Sequence, residues 1–428
     1  IMPVMAIHQQ KHLKKHVLAA LMIAAGLLLP SLDFIHIQGL KILDWQRQLL
    51  GHVSKNPEKI IVIEVDQFSL DQMQEQQGLG WPWPRDIYGG ISGFAARGQA
   101  KAIMIDILFN NETAYGVSSD QEFAQWLEKA GNVYLAASTS KHSGSTAGQF
   151  LSDYSGAIPE ASIRKGMLLP VRELYDATSG IGAVDGEPDL DGTFRRISPA
   201  YTINNKALAS LALSPFVKKA PLDWQDYKLK LNNKVLPLDK DGKLWINFPT
   251  AAYYKRFSAY DVIRSMIAVQ SDQQPDIDPS VFKNAYVLIG YVAPGLYDLK
   301  PTPFSPRSPG MEIHAAVLEN WLSDDFLQTM KNWQSGVIGL LFGLLSYMVI
   351  WLHKSVHKAI TSSLALLTVN FLLTLAFISF SLLPVISLQL LPALLVLLGS
   401  GGQRFIIEGR EKEFRQKSLE RMVSPGVA

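Results

Sequence analysis

The chain has no cysteine in 428 residues, so no disulfide braces it and no zinc site can be built on thiolates. Any part of it exposed outside the cytoplasm has to be held by its core alone. Net charge is nearly absent, at +2, and no basic patch with interleaved aromatics stands out, which argues against nucleic acid as a partner. There is no glycine-rich phosphate loop after a buried strand, no nucleophile elbow and no paired metal-binding carboxylates. Gly399-Ser400-Gly401-Gly402 is rich in glycine but ends an apolar run instead of following a strand. Nothing repeats at a solenoid period. Charge is scarcest between Asn332 and Gln403, where Lys354 and Lys358 are the only charged residues and no carboxylate occurs.

That stretch reads as three membrane helices, Trp333 to Leu352, Ile360 to Phe380 and Leu382 to Gly402, each about 20 residues and so able to cross ~30 Å of hydrocarbon. The first break, His353 to Lys358, is basic and expected on the cytoplasmic side, whereas the second, Ser379 to Pro384, is uncharged and can face outward. Three crossings change sides, which puts the residues before Trp333 outside and those after Gly402, beginning with Arg404 and Arg410, inside. Near the start, Lys11 to His16 precede the apolar run Val17 to Leu32. An uncleaved anchor fits this run better than a signal peptide, because no small-x-small cleavage site follows it. The absence of any terminating feature at Ile1 or Ala428 suggests that these residues are part of a longer protein.

Between the apolar segments the pattern is α/β. Phe34 to Leu50 suits a helix leaving the membrane. Ile60 to Val65 is a β-branched run of the kind that fills a strand buried on both faces, ending in Asp66. The prolines of Trp81-Pro82-Trp83-Pro84-Arg85 hold an extended aromatic wedge. A helix from about Asp86 to Arg97, closed by Gly98, then leads to a second, parallel strand, Ala102 to Ile105, ending in Asp106. Gln121 to Lys129 reads as a helix, Val133 to Ala137 as a strand and the Ser- and Gly-rich residues 141–156 as a surface loop. From Ile181 to Phe248 short strands alternate with turn chemistry at Asp189 to Gly192, Asn232-Asn233 and Asp239 to Gly242, with a small-residue helix expected at Ala207 to Val217. A helix at Ala259 to Ile267, a buried strand at Ala285 to Val292 and a helix across Pro309 to Leu322 complete the section.

Ligands of open α/β sheets gather at the carboxyl ends of the strands. Asp66 and Asp106 are expected there on neighbouring strands, with Trp81, Trp83 and Arg85 leaving by the same edge and Tyr297, Asp298, Glu312 and His314 arriving there. Two to four acids, one His, one Arg and two indoles could hold a cation or a polar small molecule. Glu312 and His314, two apart on a helix, diverge too far to favour a metal. The plainer alternative makes the two aspartates helix caps, pairs Arg85 with one of them, places the tryptophans in the core and bonds His314 to a backbone carbonyl. In the spans, the amides of Asn370 and Gln389 seek partners on other helices.

Ile60 to Asp66 with Ser69-Leu70, the Trp81 to Arg85 wedge, Ala100 to Phe109, Asp191-Gly192 before Arg195-Arg196, Leu288 to Pro303 and Gly310 to Ala315 resemble, in this order, the type-two CHASE domain. The resemblance covers roughly Leu40 to Leu327. It implies an extracellular sensor of a bacterial signalling enzyme, followed by three membrane helices and a cytoplasmic effector. Glu408 to Val423 alternates acids and bases around Ile407, Phe414, Leu419 and Met422 as a signalling helix does. Phe414 with Val423-Ser424-Pro425-x-Val427 is similar to the connector preceding class III adenylate cyclase domains, although an aromatic is usual where Met422 stands.

The expected architecture is thus an α/β extracytoplasmic sensor domain, with a mixed, partly parallel sheet, flanking helices and a β-hairpin section, joined to an all-α transmembrane region of four helices. Its segments are a cytoplasmic N-terminus (1–16), spans at 17–32, 333–352, 360–380 and 382–402, a periplasmic sensor (33–332) and a cytoplasmic signalling helix and connector (403–428), all in the bacterial inner membrane. The resemblance further implies a homodimer, an unidentified extracytoplasmic stimulus, and a cyclase beyond Ala428 making cAMP from ATP with Mg or Mn; no cofactor is expected in the present residues. A histidine kinase or other output enzyme, or a non-enzymatic membrane scaffold, are the alternatives.

Overall fold

The computed structural model describes residues 2–422 apart from 147, 218–220, 251–253 and 297–298. It divides into two compact units, one of residues 51–328 and a helical one of residues 1–50 with 329–428. Asp298, Tyr297 and the connector-like residues 423–427 lie outside the described residues.

The helical unit opens with α1 (Met2–Leu28) and α2 (Asp33–Leu50). In the other unit, β1 (Ile60–Val65) leads through α3 (Gln67–Gln77) and α4 (Arg85–Arg97) to β2 (Ala102–Asp106), then α5 (Val117–Ala130) and β3 (Val133–Ser140). Gly98 follows α4 at φ −74°, so its role is not left-handed geometry; a Cβ there would lie 2.0 Å from the Pro279 carbonyl oxygen. Short strands come next: β4 (Tyr154–Gly156), β5 (Ile163–Arg164) and β6 (Gly166–Leu168), then α6 (Arg172–Ala177) and β7 (Gly180–Ala183).

The hairpin section comprises β8 (Arg196–Ile197), β9 (Ala200–Ile203), β10 (Lys206–Ala209), β11 (Leu222–Gln225), β12 (Lys228–Leu231), β13 (Lys234–Pro237) and β14 (Leu244–Trp245). The helix expected at 207–217 is not formed. Asn204 and Asn205 take φ of 47° and 59°, the pair of left-handed residues that a type I′ hairpin turn requires, so Lys206–Ala209 returns antiparallel to β9. Only the 3-10 turn Ser214–Phe216 follows, with Pro215 inside it. Pro199, which has no N–H for a ladder, stands between β8 and β9.

The unit closes with β15 (Lys255–Ser258), α7 (Ala259–Gln270), β16 (Tyr286–Tyr291), the hairpin β17 (Leu299–Thr302) and β18 (Ser305–Pro309), and α8 (Met311–Ser323). The main sheet runs β15-β1-β16-β2-β3-β6, with β7 also paired to β3. Every pairing in it is parallel except that of β6. The strands bearing Asp66 and Asp106 are therefore not neighbours, because β16 inserts between them. Successive side chains of a strand face opposite ways. Ile61, Ile63, Val65, Ile103 and Ile105 meet α3, α4, α5 and α7 on one face, while Ile60, Val62, Met104 and Leu288 meet α8 and the hairpin section on the other.

The helical unit resumes with α9 (Asn332–Leu352), α10 (Val356–Ser379) and α11 (Ile386–Val396), the last passing through a π-helical turn, Leu397–Gly401, into α12 (Gly402–Met422). The span expected at 382–402 and the signalling helix after it are thus one continuous helix. Among the described residues four helices are long and apolar enough to cross a membrane: Lys14–Ser31, Asn332–Leu352, Val356–Ser379 and Ile386–Leu419. Pro392 has no N–H for the Leu388 carbonyl one turn earlier, and Gly339 of α9 packs against that oxygen, 2.0 Å from where its Cβ would stand. Asn370 donates to the Gln389 carbonyl across helices at 2.9 Å, the interhelical partner expected of it, whereas the Gln389 amide donates to Met330 Sδ at 3.9 Å, ahead of α9 and not on another helix. Gln46 also donates to Thr374 Oγ1 at 2.5 Å.

Candidate functional site

At the carboxyl edge of the sheet the charged residues are matched pair by pair. Asp66 caps α3: it accepts from the Ser69 N–H at 2.8 Å, the Ser69 hydroxyl at 2.5 Å and the Ser258 hydroxyl at 3.0 Å. A side-chain oxygen at this position satisfies an amide that the helix leaves open. Arg85 pairs with neither Asp66 nor Asp106 but with Asp120 of α5, at 2.8 Å, and its other Nη donates to the Asn111 carbonyl. Arg256 of β15 joins Glu64 of β1 to Glu312 of α8, the latter at 2.5 Å. Burial raises the Glu64 carboxyl above its ordinary range, with Arg256 opposing the rise.

His314 is 1% exposed and its Nε2 stands 4.0 Å from Asp106 Oδ2. Burial, with Lys300 adding to it, pulls the imidazole down to about 3, so at neutral pH the ring is uncharged. Its Nδ1 has no hydrogen-bond partner among the described residues, so the expected backbone-carbonyl bond is not made from that atom. Trp83 is in the core at 2% exposure, whereas Trp81 is 38% exposed and packs edge-on against Tyr291 with ring centroids 4.9 Å apart. The fold therefore brings together Asp106 with His314, Glu312 with Glu64 through Arg256, and the two indoles. It leaves Asp66 and Arg85 in separate clusters of their own. Among the described residues no three His, Asp or Glu side chains gather as round a metal ion.

Two features escaped the sequence reading. The first is a buried ion cluster in the hairpin section. Arg195, 1% exposed, bonds Asp191 through both terminal nitrogens at 2.8 Å and Asp189 at 3.0 Å, and Arg196 bonds Asp189 and Asp239 at 2.6 Å. The Arg195 hydrogen bonds hold the Asp191 carboxyl down to about 2. Two acids followed by two arginines within eight residues were the available signal; Asp191-Gly192 before Arg195-Arg196 marks the family resemblance, but nothing in that spacing announces an ion cluster.

The second is a cavity of about 440 Å³ at the opposite edge of the sheet. It opens where β3 and β7 begin, at Tyr134, Ser179, Gly180 and Ile181, and its far wall is Phe150 and Leu151. Phe150 and Leu151 belong to the Ser- and Gly-rich stretch, whose composition announces a surface loop and carries no mark of the wall it forms.

No curated protein and no solved structure matches this chain. A family model does match, that of the CHASE2 domain, across residues 18–350. The match begins within the first candidate span and ends within the second. The chain belongs to the CHASE2 family, extracellular sensor domains found in signalling proteins.

Proposed function

We propose that these residues are the sensor and membrane-spanning region of a bacterial signalling enzyme. The unit of residues 51–328 lies outside the cytoplasm and reads the stimulus, and both ends of the chain lie inside. The family match across most of the chain carries this reading. The positions of charge support the orientation: α9 and α10 are separated by His353-Lys354-Ser355, and the last candidate span continues into a helix rich in Lys and Arg, as cytoplasmic ends are. Arg404 donates to the Ile350 and His353 carbonyls, closing the end of α9 beside that basic turn. Reporters inserted at Ser143 and fused after Val427 should report opposite sides of the membrane, and the same side for both would remove the reading.

The output we propose is a class III adenylate cyclase following Ala428, working as a homodimer on ATP with Mg or Mn. The likeness of Phe414 and Val423-Ser424-Pro425-x-Val427 to a cyclase connector supports it. The full-length protein in membranes should turn ATP into cAMP. No product above a membrane blank, with manganese or magnesium, would leave the receptor and change its effector to a kinase or another enzyme.

A further inference from the structure

The cavity at the amino edge differs in kind from the charged clusters across the sheet. Among the described residues Asp153 is the one ionised side chain on its lining, and Lys206 pairs with it at 2.5 Å. The remaining polar groups are uncharged: the hydroxyls of Tyr134, Ser152, Ser179 and Ser214 and the Gln149 amide. Ser214 gives its proton to the Leu211 carbonyl, whereas the Ser152 and Ser179 hydroxyls make no hydrogen bond with the protein among the described residues. Apolar surface comes from Phe150, held edge-on to Tyr175 at 5.1 Å, and from Ile181 and Leu151. A volume of about 440 Å³ is within the range of small-molecule sites, roughly 300–1,000 Å³. An ion entering this site would lose water and find, among the described residues, no unpaired opposite charge to replace it. A ring compound with hydroxyl or amide groups would find aromatic and aliphatic walls for its faces and donors and acceptors for its edge.

We infer that this cavity, and not the carboxyl edge, is the sensor's ligand site, and that it takes an uncharged ring-shaped solute bearing hydroxyl groups, of the size of a mono- or disaccharide or a nucleoside. The inference rests on the sensor reading given above and supplies its ligand class. The fold also connects the cavity to the end of the unit. Ser214 and Val217 line it, and between them Phe216 turns its ring the other way, onto Trp321 at 5.0 Å and Tyr286 at 5.3 Å. Trp321 lies in the last part of α8, after which the chain runs to Asn332 and the first long apolar helix that follows. A ligand that shifts the Ser214–Phe216 turn acts on α8 through one aromatic contact.

The test uses the full-length protein in lipid nanodiscs, with glucose, maltose and adenosine as uncharged probes and glutamate and magnesium as charged ones. At least one uncharged probe should raise the melting temperature, by about 5 °C where its concentration reaches about a hundred times its dissociation constant. Ser179→Trp, which fills the cavity from one wall, should abolish that shift, and Ser152→Phe should do the same from the other. Both variants must keep the wild-type circular dichroism spectrum, and a variant that does not is replaced by the other. No shift with any uncharged probe, or a shift that persists in a folded, filled variant, overturns the inference. A response to glutamate or magnesium alone overturns it too. A probe that binds wild type alone but leaves the enzymatic output unchanged keeps the site and removes the sensor reading. An output that answers the probe equally in wild type and filled variants does the reverse.

Discussion

The two edges of the main sheet are built from different materials. At the carboxyl edge and beside it, Asp66, Arg85, Asp120, Arg256, Glu64 and Glu312 are consumed in ion pairs and caps within the protein. At the amino edge the described groups are uncharged apart from Asp153, which pairs with Lys206, and they surround open space. In many α/β folds the carboxyl edge receives the ligand, since the helix N-termini and the crevice between diverging loops lie there. Here β16, arriving from near the end of the unit, fills the place between β1 and β2, and the acids end up holding elements together. A row of charges at a conventional ligand edge is therefore no sign of a site until its counter-charges have been counted.

The largest expected effect breaks the carboxyl edge. Arg85 and Asp120 have side chains 10% and 6% exposed, so Arg85→Met leaves a buried carboxylate without its partner and should cost about 3–5 kcal/mol. Arg85→Met combined with Asp120→Leu removes both charges and should recover most of that loss. Denaturant titration of the two variants checks it. The loss in the single variant is the informative outcome, because a residue serving a ligand would leave both variants nearly as stable as the wild type.

Strand identities were legible because β-branched runs buried on both faces have few other readings, and the helices because their apolar residues recur with the right period. Strand order was not, since nothing in Ile60–Val65 or Ala102–Asp106 says that Tyr286–Tyr291 will pair with both. Partners were hidden for the same reason. Asp120 is 35 residues from Arg85 and Arg256 is 192 from Glu64, separations at which one sequence carries no pairing signal. The Asn204-Asn205 pair carries a hairpin signal that the reading of 207–217 as a helix leaves unused. A cavity has no sequence signature, being the space several segments leave.

His314 gives an intermediate effect that sharpens the contrast. Its imidazole is held near 3 in the folded protein, against about 6.5 when unfolded. On acidification the unfolded chain takes up the proton first. The stability this residue contributes is therefore complete above about pH 6.5 and falls with pH until about pH 3, by about 1.4 kcal/mol per unit. Asp106 faces the ring at 4.0 Å and Lys300 opposes its protonation. Melting temperature measured from pH 7 to pH 5 should fall less steeply in His314→Gln than in wild type, by the equivalent of roughly 2 kcal/mol over the interval. Equal slopes would mean that the imidazole is already protonated, and that it meets Asp106 as an ion pair.

The smallest effects come from one substitution made at both edges. Ser69 is fully buried; its hydroxyl donates to Asp66, lies 2.7 Å from the Ser258 hydroxyl and accepts from the Tyr260 N–H at 3.1 Å. Ser69→Ala strips that cluster of its centre and leaves the Tyr260 amide unsatisfied, at a cost of about 1–3 kcal/mol. Ser179 at the cavity mouth has no such partners, so Ser179→Ala should change stability by less than about 0.5 kcal/mol. Urea midpoints at constant slope separate the two. Comparable losses at both positions would show that the Ser179 hydroxyl is engaged by the protein itself, and a cavity whose hydroxyls are already spoken for has little left with which to recognise a solute.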